Sequence, residues 1–145
     1  MSKNCHFRTL CGIISQEKVE FMRSLLNFPQ IIKTPRLVLR VLAPTKENAK
    51  QIFNAIAQNR EFLTKWLEHF VSIKSPDDVI AYLTKRQEQL KDNKGVCFHI
   101  FCNDDVIGRI WLFRVKDNTC EIGYWLIESV NGHGYMTEAL LALEG

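Results

Sequence analysis

An α+β fold is predicted for this 145-residue chain by three features of its sequence. Apolar residues recur at helical spacing between residues 45 and 90, three strand-length segments joined by tight turns follow between Val96 and Ile127, and a last helix is entered through a loop containing two glycines. The length is that of one domain, and an apolar content of 46% is enough to build a packed core.

Taken in order, residues 1–33 form an N-terminal extension of unassigned role. Val19, Met22 and Leu26 suggest a short amphipathic helix there, closed by Pro29. The text changes at Thr34, where the domain of residues 34–145 is taken to begin. Arg36 to Leu42 alternates arginines with aliphatic residues and reads as a strand. Pro44-Thr45 supplies a turn and an N-cap for a helix carrying Ala49, Ile52, Phe53 and Ile56, with Glu47 near its positive end. A second helical piece, Phe62 to Phe70, places Leu63, Trp66, Leu67 and Phe70 on one face. Ser75-Pro76-Asp77-Asp78 starts a third helix, because serine caps, proline suits the first position and the acids meet the dipole. Its stripe is Val79, Ile80, Leu83 and Leu90, and it should end near Gly95. Strands at Val96–Cys102, Val106–Val115 and Thr119–Ile127 then form an antiparallel meander, with turns at Asn103-Asp104-Asp105 and Lys116-Asp117-Asn118. Met136, Ala139, Leu140 and Leu143 place the last helix over Tyr135–Glu144.

Composition narrows the classes of function. Nineteen basic against sixteen acidic residues give a net charge of +3 without a like-charge block, so no nucleic-acid partner is indicated. No apolar run approaches the roughly 20 residues that span a bilayer, and no signal-peptide pattern opens the chain, so neither a membrane nor secretion is expected. Cys5, Cys11, Cys97, Cys102 and Cys120 are odd in number and form no CxxC pair, which reads as reduced thiols in a cytoplasmic protein rather than a metal site.

The segment most able to carry chemistry is Asn131-Gly132-His133-Gly134, between a strand and a helix. Backbone N–H groups and the positive helix end converge there, and glycines let the backbone come close to a pyrophosphate. Gly-His-Gly is also compatible with an ordinary tight turn.

In a wider frame, Glu121-Ile122-Gly123-Tyr124-Trp125-Leu126 followed by Asn131-Gly132-His133-Gly134-Tyr135-Met136-Thr137-Glu138-Ala139 resembles the acetyl-CoA signature of the GCN5-related N-acetyltransferases, specifically the RimJ/RimL branch. Thr34-Pro35-Arg36-Leu37-Val38-Leu39-Arg40 is similar to that branch's first strand, and Asn59-Arg60-Glu61-Phe62-Leu63 with Trp66-Leu67 to its second helix. The resemblance covers Thr34 to Gly145. It implies a three-layer fold, a mixed and mostly antiparallel sheet flanked by helices, and transfer of the acetyl group of acetyl-CoA to an amine without a metal. The acceptor it favours is a protein N-terminal amine, with small amines second.

The same resemblance assigns residues. The family's cofactor motif runs glutamine or arginine, two variable residues, glycine, one variable residue, then glycine or alanine; its three defined places hold Asn131, Gly134 and Met136 here, of which only the central glycine matches. Gly132, His133, Gly134, Tyr135, Met136 and Thr137 would present backbone donors to the pyrophosphate. Leu126 and Ile127 would pair with the pantetheine arm, the Leu126 N–H polarising the thioester carbonyl. His133 is read as facing a phosphate or solvent. Glu121 is either the base that takes the ammonium proton through water or a structural hydrogen-bonding group, and both readings stay open. Tyr124 and Trp125 are assigned to packing.

The family fold continues with another strand, a helix and a hairpin beyond the point at which this chain stops, at Gly145. The expectation is therefore a domain incomplete at its C-terminus, whose strand Thr119–Ile127 has an uncovered apolar edge prone to self-association. An inactive acyl-CoA-binding remnant is the alternative function.

Overall fold

The computed structural model describes residues 7–8, 31–65, 68–92, 94–116 and 119–144, with backbone alone for residues 7–8, 68–69, 114–116, 119–121 and 144. Six strands form one sheet: β1 (Phe7–Arg8), β2 (Ile31–Lys33), β3 (Val38–Arg40), β4 (Gly95–Cys102), β5 (Asp105–Lys116) and β6 (Thr119–Leu126). The spatial order is β1-β6-β5-β4-β3-β2, and every pairing is antiparallel. Among the described residues four α-helices accompany it: α1 (Lys46–Gln58), α2 (Arg60–Thr64), α3 (Pro76–Lys91) and α4 (Tyr135–Glu144). The predicted α+β class is the observed one.

Local chemistry accounts for the helix starts. Thr45 is the N-cap of α1, its hydroxyl accepting from the Asn48 N–H at 3.1 Å. At α3, the Asp78 carboxylate accepts from the N–H groups of Lys74 (2.8 Å) and Ser75 (3.1 Å), the reaching-back half of a capping box. Those N–H donors hold the Asp78 carboxyl below its ordinary range.

Two apolar layers sandwich the sheet. Ala49, Ile52 and Ile56 of α1, Leu63 of α2, and Val79 and Leu83 of α3 pack with Phe101, Val106 and Trp125 on one face. On the other, Met136 and Ala139 of α4 pack on Leu39, Phe98, Ile100, Ile110, Leu112, Tyr124 and Leu126. Burying such side chains yields about 1.5–3 kcal/mol each. The alternation along β4 to β6 thus separates two faces with different partners.

Three differences from the sequence reading have physical causes. The helix expected over Phe62–Phe70 is divided into α2 and a 3₁₀ turn at Glu68–Ser72. The Arg60 guanidinium donates to the carbonyls of Phe70 (2.9 Å) and Ile73 (2.7 Å), drawing the chain back on itself. Trp66 and Leu67 lie outside the described residues, as does the helix suggested by Val19, Met22 and Leu26. Secondly, β1 and β2 precede Thr34 and both join the sheet. Thirdly, the strand expected to have an uncovered edge is covered in part: β1 pairs with β6 at Phe7↔Gly123 and Arg8↔Ile122. An apolar strand with unpaired N–H and C=O groups is satisfied by the extended segment that can reach it.

Cys97 and Cys102 are free thiols, and no cluster of potential metal ligands occurs among the described residues. Cys5, Cys11 and the side chain of Cys120 lie outside them. No described helix is long and apolar enough to cross a membrane.

Candidate functional site

The glycine loop sits where β6 delivers the chain to α4. After Leu126, a 3₁₀ turn at Glu128–Val130 leads to Asn131, whose N–H returns to the Glu128 carbonyl at 3.2 Å. The Glu128 N–H is itself tied to the Asn59 side-chain oxygen at 3.2 Å, so the end of α1 anchors the loop's entry. Gly132 and Gly134 have φ of +82° and +78°, a conformation that L side chains adopt only with strain. The first hydrogen bond of α4 runs from the Glu138 N–H to the Gly134 carbonyl at 3.0 Å. The N–H groups of Tyr135, Met136 and Thr137 therefore precede the helical ladder, and the positive end of the helix dipole coincides with them.

A side-chain clamp fixes this loop against the start of the domain. Arg36 Nε donates to Glu138 Oε1 at 2.6 Å, Arg36 Nη1 donates to the His133 carbonyl at 3.0 Å, and the guanidinium lies 4.4 Å from the Tyr135 ring centroid. The Arg36 N–H and the Thr34 hydroxyl both donate to Glu138 Oε2. The hydroxyl of Thr34 and then the groups of Arg36 hold the Glu138 carboxyl below its usual range. In the sequence, Thr34 reads as the start of the domain and Arg36 as part of a strand, while Glu138 enters only through the resemblance, and none of these joins Arg36 to Glu138. Their opposite charges, in a segment far from the loop in sequence, were the one signal available.

The register of the sheet sorts the main-chain groups at the end of β6. The Ile127 N–H donates inward, to the Ile107 carbonyl of β5 at 2.8 Å. Because such bonds alternate along an antiparallel pair, the N–H and C=O of Leu126, opposite Gly108, point away from β5 toward the open side. Of the two residues expected to pair with a ligand arm, Leu126 thus has its N–H directed outward and Ile127 has its N–H engaged. The pairing with β1 lies further back, at Ile122 and Gly123.

The other predicted positions fall as follows. Gly132, His133, Gly134 and Thr137 are exposed, Asn131 and Tyr135 are half-buried, and the Met136 side chain is buried in the α4 layer, leaving its backbone at the loop. Tyr124 and Trp125 are core residues, Trp125 meeting Phe70 edge-on at 5.5 Å between centroids. Glu121 is paired through its backbone with Phe113, and its side chain lies outside the described residues.

The face opposite α4 contains a polar cluster that the sequence reading did not anticipate. Arg109 is 1% exposed on β5, directly opposite Trp125. Its Nη1 donates to the Tyr82 hydroxyl, while its Nε and Nη2 have no hydrogen-bond partner. Arg86 of α3 lies 3.9 Å from the Trp111 ring centroid and 4.9 Å from that of Tyr82. His99 is 1% exposed, and burial, then the Arg109 charge, push its pKa down to about 3. Burial raises the Tyr82 hydroxyl and the Cys97 thiol, so both stay neutral. A charged residue inside Val106-Ile107-Gly108-Arg109-Ile110 was the signal that could have found this cluster.

Comparison with known proteins agrees with the geometry. A model of the acetyltransferase (GNAT) domain matches residues 36–144. The ribosomal-protein-serine acetyltransferase of Escherichia coli (strain K12) is 30% identical over 107 residues, which cover 72% of this chain and 60% of that protein. The chain thus spans about 60% of the length of this curated relative. Among solved structures, RimL, the ribosomal L7/L12 alpha-N-protein acetyltransferase in complex with coenzyme A, superposes with a TM-score of 0.69 at 22% identity, over 79% of this chain and 65% of that one. The microcin C7 self-immunity acetyltransferase MccE, in complex with acetyl-CoA and AMP, gives 0.69 at 20% identity over 76% and 61%. The structural likenesses establish the fold, and the match over residues 36–144 establishes the family: this chain belongs to the acetyltransferase (GNAT) domain family.

Proposed function

We propose that the chain is an N-acetyltransferase that transfers the acetyl group of acetyl-CoA to a primary amine, the N-terminal amine of a ribosomal protein being the favoured acceptor and a small amine the second. The observation that carries this reading is the position of two left-handed glycines and a helix N-terminus at the end of a strand whose last N–H points outward. A pyrophosphate fits such a place, because first-turn N–H groups and the helix dipole favour negative charge. The name of the E. coli relative and the coenzyme A bound by RimL support both the acceptor class and the co-substrate.

In this reading, the thioester supplies an activated acetyl group when bound. Gly132 to Thr137 hold the pyrophosphate with main-chain donors, and Arg36 keeps the loop in place through His133 and Glu138. The Leu126 N–H hydrogen-bonds the thioester carbonyl oxygen as charge gathers there, an arrangement worth about 3 kcal/mol in comparable sites. The amine nitrogen forms its bond to the acetyl carbon as the carbon–sulfur bond breaks and the thiolate departs. Glu121, through water, takes the proton that the amine sheds. His133 lies exposed beside the phosphate and has no part in proton transfer. The described residues hold nothing that favours an inactive remnant.

The test is calorimetric titration with coenzyme A. Gly134→Val should weaken binding by tenfold or more, since a β-branched side chain at φ +78° forces the loop to reorganise. His133→Ala should change affinity less than threefold. Equal tolerance of the two substitutions would remove the loop from the site.

A further inference from the structure

A cavity of about 540 Å³ opens on the sheet face opposite α4, between α3 and β5, with Tyr82, Lys85, Arg86, Arg109 and Trp111 among its lining residues. Its charge is one-sided. Asp78 is the acidic member of its wall, and that carboxylate is already engaged with the Lys74 and Ser75 N–H groups at the start of α3. Neither Arg86 nor Arg109 has an ion pair among the described residues.

Arg109 decides the matter. It is 1% exposed, and two of its three guanidinium nitrogens lack a hydrogen-bond partner. A buried cation is ordinarily paired with an anion. The titratable groups around it do not supply one: Tyr82, Cys97 and His99 are all held neutral by burial, Arg86 repels it, and Lys85 at the cavity rim adds a like charge. The rings of Phe70, Tyr82 and Trp111, 5.3–5.8 Å from the Arg109 guanidinium carbon, offer partial compensation through their π faces, but aromatic rings do not accept the remaining N–H bonds in the plane of the fork. Arg86 stands against the same Tyr82 and Trp111 rings with its Nε also unpartnered. Two guanidinium groups thus share two aromatic walls.

The place of this pair gives it a use. Arg109 is opposite Trp125, the residue before Leu126, so the cavity is one strand away from the N–H assigned to the thioester and on the sheet face opposite α4. We propose that Arg109 and Arg86 bind an oxyanion of the amine acceptor, which therefore carries a carboxylate or phosphate group close to its reacting amine. This rests on the acetyltransferase reading for the word acceptor, while the anion site rests on the cavity alone. An acidic side chain just behind a protein N-terminus and a phosphate on a small amine share this chemistry.

The test separates site, source and reading. The thermal midpoint of the intact chain is measured with succinate, inorganic phosphate and neutral succinamide at constant ionic strength, and coenzyme A binding is titrated in parallel. Succinate or phosphate should raise the midpoint by a few degrees and succinamide should not, with the larger response telling a carboxylate source from a phosphate one. Arg86→Gln should reduce the apparent anion affinity tenfold or more with coenzyme A affinity unchanged. Arg109→Lys, which retains charge but loses the planar fork, should weaken the anion comparably, and its circular dichroism reports whether it folds. Protection by succinamide equal to that by the anions, or an unaltered response in Arg86→Gln, overturns the proposal. A chain that binds succinate through Arg86 but fails to bind coenzyme A would instead sink the acetyltransferase reading and leave the anion site standing.

Discussion

The two faces of the sheet prepare for ligands in different ways. On the α4 face, the candidate contacts are main-chain N–H groups, and the cation beside them, Arg36, is matched by Glu138. On the α1–α3 face, side chains dominate, and the buried Arg109 has no such match among the described residues. The contrast teaches that a cation satisfied by its own chain fixes a conformation, whereas one left unsatisfied in a cavity is set aside for something that arrives. Substitutions at the glycines of the first face should act through backbone geometry and those at its clamp through a charge already paired, whereas those on the second face should act through charge and proton binding that the chain leaves unmatched.

The largest effect that sharpens this comparison is expected at Glu121, whose backbone pairs with Phe113 on β5. If its carboxylate receives the amine proton, Glu121→Gln should lower turnover by about a hundredfold, with coenzyme A affinity unchanged. Turnover at saturating amine that matches the parent chain would assign Glu121 to structure.

An intermediate effect belongs to His99. Its pKa is depressed to about 3 in the folded chain, against an ordinary value near 6.5, so the unfolded chain binds the extra proton between these limits. His99 therefore contributes stability that is fully present above pH 6.5 and is lost as pH falls toward 3, with a slope of at most about 1.4 kcal/mol per pH unit. In His99→Leu, urea midpoints should vary less between pH 7 and pH 4 than in the parent chain. An identical pH profile in the two chains would show that His99 is not the group responsible.

The smallest effect is expected at the clamp on the α4 face. Glu138→Gln keeps the shape and removes the charge, and should destabilise the chain by about 1 kcal/mol at neutral pH, as for other charge-assisted hydrogen bonds. The folded-state pKa of Glu138 is depressed, so its contribution is present above pH 4.5 and is lost as the pH falls through the folded value. The parent and Glu138→Gln chains should therefore converge in stability in acid. If the difference persists undiminished at pH 2, packing rather than charge holds the clamp.

Features whose cause is local were legible in the sequence. Thr45 caps α1, Ser75 and Asp78 open α3, the turn at 103–105 separates β4 from β5, and Gly132 with Gly134 mark the loop, while Asp117 and Asn118 of the turn expected at Lys116-Asp117-Asn118 lie outside the described residues. Features whose cause is distant were not. The break after Thr64 depends on Arg60 reaching the carbonyls of Phe70 and Ile73. The two residues of β1 carry no strand pattern of their own and are placed by the edge of β6. The resemblance to a known signature located the loop, but the outward N–H of Leu126 and the engaged N–H of Ile127 follow only from the register with β5. The burial of Arg109 follows from the packing of α3 over the sheet, which periodicity does not encode.

The bonds from Thr34 and Arg36 to Glu138 span more than a hundred residues, with sequence separations of 102 to 104. Contacts of such range close late, because the entropy of a large loop must be met before they form. During synthesis, the donors emerge first and wait until nearly all of the described domain has followed. The glycine loop thus acquires its final set only when β3 to β6 have already assembled between its two anchors, so any ligand that requires the loop in this shape would engage the finished sheet and pass over its precursors.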